Sequence, residues 1–227
     1  MRHRTIFAHY PNERLNLLEQ AQYGKVELDS EALPFVQEYL NATKELIGQA
    51  VHYHSRLLAV RLQIDFPKKW KLETCLNPDR TYHVLFSIYN YINKHFPQNL
   101  NQRQWRQKLK LYYVCSVEYD HMKKPVINLL LILDGWMFRG LGPSSAYSYP
   151  LKKMIEFAVC GGVKVPPEVV RNECLINYLS IHHIDKHATD AKTQMHSLMK
   201  HGSYLCQANN KIFGFDVSPF RAGVFEP

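Results

Sequence analysis

A chain of 227 residues is long enough to bury one sizeable core, or one core with a small helical addition. Apolar residues at 46% and charged residues at 21% exclude a disordered chain. The formal net charge of +8 points to an acidic partner, nucleic acid first. The cysteines, Cys75, Cys115, Cys160, Cys174 and Cys206, are odd in number and form no C-x-x-C pair, which argues against a disulfide framework or zinc knuckle and for reduced thiols in a cytosol. Met1 to Leu18 holds no apolar core of a signal peptide. No apolar run approaches the ~18 residues that would span a membrane.

In chain order, residues 1–50 read as a helical N-terminal part and 51–227 as an α/β domain. A short helix is predicted from Asn12 to Gln20. Ser30, with Glu31 in the first turn, reads as the N-cap of a longer helix in which Leu33, Val36, Leu40 and Ile47 recur at near-helical spacing through Gln49. From Leu57 to Phe66, Val60, Leu62 and Ile64 alternate with Arg61, Gln63 and Asp65, the period of a half-buried strand that Pro67 ends. Arg61 and Asp65 read as a solvent-facing edge pair. Asn77-Pro78-Asp79 opens a helix with Val84, Leu85, Ile88, Tyr91, Ile92 and His95 on one face, closed by Pro97. Asn101 to Lys110 carries Arg103, Arg106, Lys108 and Lys110 around Trp105. It is either a phosphate-binding and stacking patch or a solvated connector whose Trp plugs the core.

Tyr112 to Asp134 is the centre of the chain. Leu109 to Glu118 and Val126 to Leu133 read as two strands joined by a turn over Asp120 to Pro125, the second apolar enough to be buried on both faces. Gly135 to Gly142 predicts a turn and a short helix without a phosphate-loop pattern. Pro150 to Cys160 reads as a helix ended by Gly161-Gly162, and Val163 to Val170 as a connector. Leu175 to His183 leaves strand and short helix open. A helix is predicted over 189–207, with Met195, Leu198, Met199 and Leu205 inward. Phe213 to Pro227 reads as an aromatic, irregular tail. The fold class is α/β (α+β): a central antiparallel sheet of about 4–5 strands with packed helices.

Four motifs then carry a resemblance. Pro125-Val126-Ile127-Asn128 precedes the apolar run Leu129-Leu130-Leu131, Glu118 ends the strand before it, and Ser203-Tyr204-Leu205-Cys206-Gln207 comes late, followed by Phe213-Gly214. Over Arg56 to Gly214 this order resembles the replication-initiator-like proteins of filamentous phages and their prophage and satellite relatives, within the Rep endonucleases that carry a His-hydrophobic-His motif. The resemblance implies a tyrosine nucleophile at Tyr204 and a divalent metal on alternate residues of one strand, which share a face. At the motif, however, Val126 and Asn128 replace both His, leaving Glu118, Asn128 and the turn residue His121 as a vestigial set. The family's Lys after the tyrosine is Gln207 here, with Lys211 as a partial substitute. His52-Tyr53-His54 fits the motif letters before the first strand and reads as a surface or helix-end feature. His183 and His187 would pair only if their segment were helical. Tyr204 itself reads as a partly buried helix tyrosine.

These departures predict a non-catalytic Rep-like protein of a prophage or phage satellite in the cytoplasm of a bacterial host, without a cofactor. Its expected partners are a phage protein, for instance a small terminase subunit whose DNA packaging it redirects, or a replication component, or DNA. Arg103, Trp105, Arg106, Lys108, Lys110 and Lys211 are the candidate nucleic-acid contacts. Trp136, Phe138 and Arg139 are the candidate protein interface. The alternatives are an active rolling-circle-type nickase using Tyr204 with a divalent metal, and a DNA-binding regulator.

Overall fold

Val126 to Leu133 offers apolar side chains to both sides of its backbone, so it is stable only where helices cover it twice. The computed structural model, which describes residues 2–8, 15–70, 75, 78–95, 109–120, 122, 124–142, 151–209, 211 and 218–226, meets that demand. Its strands are β1 (Arg2–Ala8), β2 (Leu17–Leu18), β3 (Gln22–Tyr23), β4 (Val26–Glu27), β5 (Phe35–Val36), β6 (Arg56–Asp65), β7 (Leu111–Tyr119), β8 (Pro125–Asp134), β9 (Ile176–Asp185) and β10 (Phe220–Glu226). The helices are α1 (Gln37–Tyr53), α2 (Pro78–His95), α3 (Leu151–Val163), α4 (Pro167–Asn172) and α5 (Ala191–Ser203). Six strands form one antiparallel sheet in the order β1-β10-β7-β8-β6-β9. All residues of β8 are buried.

Two cores flank the sheet. Leu58, Val60, Leu62, Ile127, Leu129 and Leu131 meet α2 and α3 on one face. Leu57, Ala59, Val114, Leu130 and Ile132 meet α1 and α5 on the other. Complete burial of one such side chain stabilises by about 1.5–3 kcal/mol, so the two cores dominate the fold. A Cβ on Gly162 would lie 2.7 Å from the Val84 Cα. Gly162 therefore lets α3 approach α2 closely, and the expected helix end at Gly161-Gly162 is instead a helix contact, with α3 continuing to Val163.

The N-terminal fifty residues are not all helical. β1 is an outer strand of the sheet, paired with β10. Of the helix expected from Asn12 to Gln20, residues 12–14 lie outside the described residues, and further on Leu17 and Leu18 pair instead with Val36 and Phe35, which are fully buried. Ser30 does not cap the long helix. Asp29 caps a short 3-10 turn over Ser30–Ala32, accepting from the Glu31 N–H at 3.0 Å. The α-helix begins only at Gln37, past Pro34, which has no N–H to give.

The open choice over Leu175 to His183 resolves as strand β9. The tail expected to be irregular supplies β10, an interior strand between β1 and β7. No helix forms over 135–142: the turn there is held by the Asp134 carboxylate, whose Oδ1 accepts from the N–H groups of Trp136 at 2.7 Å and Met137 at 3.2 Å. Because β9 pairs beyond it, β6 is interior, and Arg61 and Asp65 are no edge pair. No helix among the described residues is long and apolar enough to cross a membrane.

Candidate functional site: a buried carboxylate beside Tyr204

On the sheet face covered by α1 and α5, the register sets Ser116, Asn128 and Gln63 in one row and Glu118, Val126 and Asp65 in the next. Val126 and Asn128 share this face while Ile127 enters the opposite core, as alternate residues of a strand must. Nearer the middle of the sheet the same face is apolar.

Glu118 is the hub. Its Oε1 accepts from Ser116 Oγ at 2.5 Å, its Oε2 accepts from Asn128 Nδ2 at 2.9 Å, and Lys211 Nζ forms an ion pair with Oε1. Glu118 and Lys211 are both buried. Lys211 bridges Glu118 antiparallel, which brings its side chain onto the Glu118 face. An unpaired carboxylate there would be costly, and the ammonium neutralises it. The candidate metal ligands Glu118 and Asn128 thus do meet, but both carboxylate oxygens are engaged and an internal cation stands against one of them. Lys211 is accordingly no surface phosphate contact. Among the described residues no group of three or more His, Cys, Asp or Glu side chains is gathered as a metal site would need. His121 lies outside the described residues. In the next row, Asp65 accepts from Gln63 Nε2 at 2.7 Å and Asn177 Nδ2 at 3.1 Å.

Tyr204 opens a 3-10 turn, Tyr204–Cys206, that continues α5. Its hydroxyl donates to Asp29, and the Arg61 guanidinium lies 4.4 Å from its ring centroid. The hydrogen bond to Asp29, burial and the Asp29 charge raise the Tyr204 pKa; Arg61 opposes them. The same bond from Tyr204, with a second from the Glu31 N–H, lowers that of Asp29. Burial lowers the Arg61 pKa against the pull of Glu118 and Tyr204. Its Nε is buried without a hydrogen-bond partner among the described residues. Arg61 therefore links the Glu118 cluster electrostatically to Tyr204. Neither Arg61 nor Asp29 was legible as a site residue, because their partners lie far along the chain.

Beside Glu118, at the Asp65 end of β6, a cleft of about 470 Å³ opens. Lys68 and Lys124 in its lining face Asp65, Asp120 and Glu173, so it has no excess of positive charge to draw phosphate.

Arg103, Trp105, Arg106, Lys108 and Phe213-Gly214 lie outside the described residues. Lys110 is engaged within the fold: its Nζ is 3.4 Å from Glu226 Oε1 and 3.8 Å from the Tyr53 ring centroid. Of the candidate interface, Trp136 is 43% exposed and Arg139 is exposed, but Phe138 is 4% exposed and packs in the core. Phe138 is no interface residue, because the turn after Asp134 folds its ring inward. The Trp136 ring stacks under Arg56 at 3.9 Å, and its Nε1 donates to Ser55 Oγ at 3.0 Å.

The His52-Tyr53-His54 tripeptide ends α1, as read, but His54 is buried with its Nδ1 2.9 Å from Asp134 Oδ2. Burial alone would raise the Asp134 carboxyl. The hydrogen bond and charge of His54, with the Trp136 and Met137 N–H groups, outweigh burial and hold it below its ordinary value. His183 lies on β9 and His187 follows in a turn, so the helical pair is absent. His182 instead meets His201 of α5 at 4.4 Å between ring centroids; burial, then His201 and His183, push its pKa down to about 4.

A family model described as the YagK/YfjJ C-terminal domain matches residues 20–221. No curated protein and no solved structure matches the chain.

Proposed function

The chain belongs to the YagK/YfjJ C-terminal domain family, and from that premise and the site's geometry we propose that it is a non-catalytic, Rep-like protein of a prophage or phage satellite that binds a phage protein, DNA or both. The observation that carries this reading is the Lys211–Glu118 ion pair. Phosphoryl transfer through a tyrosine calls for a cation beside the reacting phosphate and an activated phenol. Here Lys211 neutralises the carboxylate that could hold such a cation, and Asn128 spends its amide on the other oxygen. The bond from Tyr204 to Asp29 raises the phenol's pKa, which works against its ionisation.

A protein partner is favoured over DNA. The cleft beside the cluster carries more carboxylates than lysines, while Trp136 and Arg139 offer an exposed aromatic and a guanidinium of the kind enriched at protein interfaces. Redirection of a phage's packaging terminase or its replication is the role this reading gives the contact.

The test has two parts. The tagged protein, recovered from nuclease-treated lysate of phage-infected bacteria, is expected to retain a phage protein identifiable by mass spectrometry. Incubated with end-labelled single-stranded DNA and Mg²⁺ or Mn²⁺, it is expected to give no covalent adduct on a denaturing gel. An adduct that disappears in Tyr204→Phe would overturn the reading in favour of an active nickase. Arg61 stacked on Tyr204 favours that second reading, because its charge opposes the rise in phenol pKa.

A further inference from the structure

The two ends of the sheet differ in charge. At the Asp65 end the cleft sets Asp65, Asp120 and Glu173 against Lys68 and Lys124. At the other end a groove of about 400 Å³ opens between the start of β6, the turn after β8, the end of β9 and α5. Arg56, Trp136, Arg139 and His183 line it, and Asp185 is its one carboxylate among the described residues. That carboxylate is already committed: its Oδ2 accepts from Arg56 Nε at 2.8 Å and its Oδ1 from the His187 N–H at 3.0 Å. Arg56 is thereby aimed. Its guanidinium lies on the Trp136 ring at 3.9 Å, and Trp136 is itself held by Ser55 Oγ through its indole and by Asp134 through its backbone N–H. Neither terminal nitrogen of Arg56 is hydrogen-bonded among the described residues. Arg139 is exposed and has no hydrogen bond or ion pair among them.

We propose that this groove binds an acidic segment of the partner protein. A Glu or Asp side chain of that segment accepts from the terminal nitrogens of Arg56 and from Arg139, and a neighbouring apolar residue covers the exposed part of Trp136. The proposal rests on the protein-binding reading above and names the chemistry of the partner. A planar guanidinium meets a carboxylate with two parallel hydrogen bonds. Stacking on an indole orders the long arginine side chain before the ligand arrives, which lowers the entropy cost of binding. Charge complementarity selects the occupant: two guanidiniums face one carboxylate, and that carboxylate is spent on holding one of them. Nucleic acid is served less well. Binding driven by phosphates draws on a track of about 6–10 contacts, and two arginines, one of them partly neutralised by Asp185, supply too few.

The test follows the indole N–H resonance of Trp136 in the ¹⁵N-labelled full chain, assigned by its absence from Trp136→Phe. The probes are the capped peptide Glu-Leu-Glu-Glu-Leu-Glu, its counterpart with Gln for every Glu, and single-stranded oligothymidylate. The acidic peptide is expected to shift this resonance saturably by ~1 mM, and the Gln peptide to leave it in place. Arg139→Ala, which breaks no contact within the fold, and Arg56→Lys, which keeps the charge but not the fork, are each expected to weaken the acidic peptide about fivefold, as for partly exposed ion pairs. An unmoved resonance, equal binding of the Gln peptide, or wild-type affinity in either variant overturns the proposal. Tighter binding of oligothymidylate than of the acidic peptide overturns it in favour of nucleic acid. Capture of a phage protein decides the underlying reading and this titration decides the groove, so each can fail without the other.

Discussion

β8 has a buried polar pair near each end, and the two are built differently. At its C-terminal end Asp134 binds His54 and also the backbone N–H groups of its own turn. At its N-terminal end the row on β7 and β8 gives Glu118 side-chain partners only, and its ionic partner Lys211 lies 93 residues away. The first pair fastens a turn and would serve any protein with this topology. The second assembles three side chains around one carboxylate on the face where the family resemblance would put chemistry. The difference teaches that burial alone does not mark function. What separates the two pairs is whether the backbone or only exchangeable side chains satisfy the charge.

The largest expected effect breaks the Glu118 end. Lys211→Met leaves a buried carboxylate without its counter-charge and should cost about 3–5 kcal/mol, read as a lowered urea midpoint. Adding Glu118→Gln to that variant should recover most of the loss. A Lys211→Met chain as stable as wild type would mean that the ion pair does not hold this end together.

Asp134→Ala removes charged hydrogen bonds to His54 and to two backbone N–H groups, and about 1.5–3 kcal/mol is expected to go with them. The acid limb of stability sharpens the contrast further. A carboxyl whose folded pKa is depressed, as at Asp134, adds stability that is present above its unfolded pKa and is lost as pH falls through the folded value. Unfolding midpoints taken from neutral pH down to about 2 should therefore fall less steeply in Asp134→Ala than in wild type. Equal slopes would remove Asp134 from the acid response.

The smallest effect is expected for Tyr204→Phe. The hydroxyl bonds to a half-buried carboxylate at the rim of the fold, so the urea midpoint should stay close to wild type while the absorbance titration loses one phenol of raised pKa. A marked loss of stability would show Tyr204 to be a structural member of the polar end instead of a bystander to it.

The elements that announced themselves in the sequence are those whose signal is local. The hairpin of β7 and β8, the alternation in β6 and the Pro-opened α2 each carry a period and a punctuation within about twenty residues. β10 does not. Gly223 interrupts its apolar pattern, and the reason is visible only in three dimensions: a Cβ there would lie 2.7 Å from the Arg4 carbonyl oxygen and 2.9 Å from the Tyr113 hydroxyl. The site divides in the same way. Glu118, Asn128 and Tyr204 could be singled out from motif order, and the structure brings the first two together. Lys211 could be named but not oriented, because nothing near it in sequence tells a phosphate-binding lysine from a buried counter-ion. His54 and Asp134 are 80 residues apart, and neither carries a local sign of the other.

β10 also sets an order on how the molecule can be made. β7 and β8 can close on each other as soon as both have left the ribosome, whereas β1, which precedes both, has no strand to pair with among the described residues until residues 220–226 follow. Until β10 is made, the outer edge of β7 and the β1 segment are both unpaired strands, the state in which nascent chains most readily aggregate or recruit chaperones. A sheet stitched shut by its last strand is therefore exposed in the cell in a way that its finished form conceals.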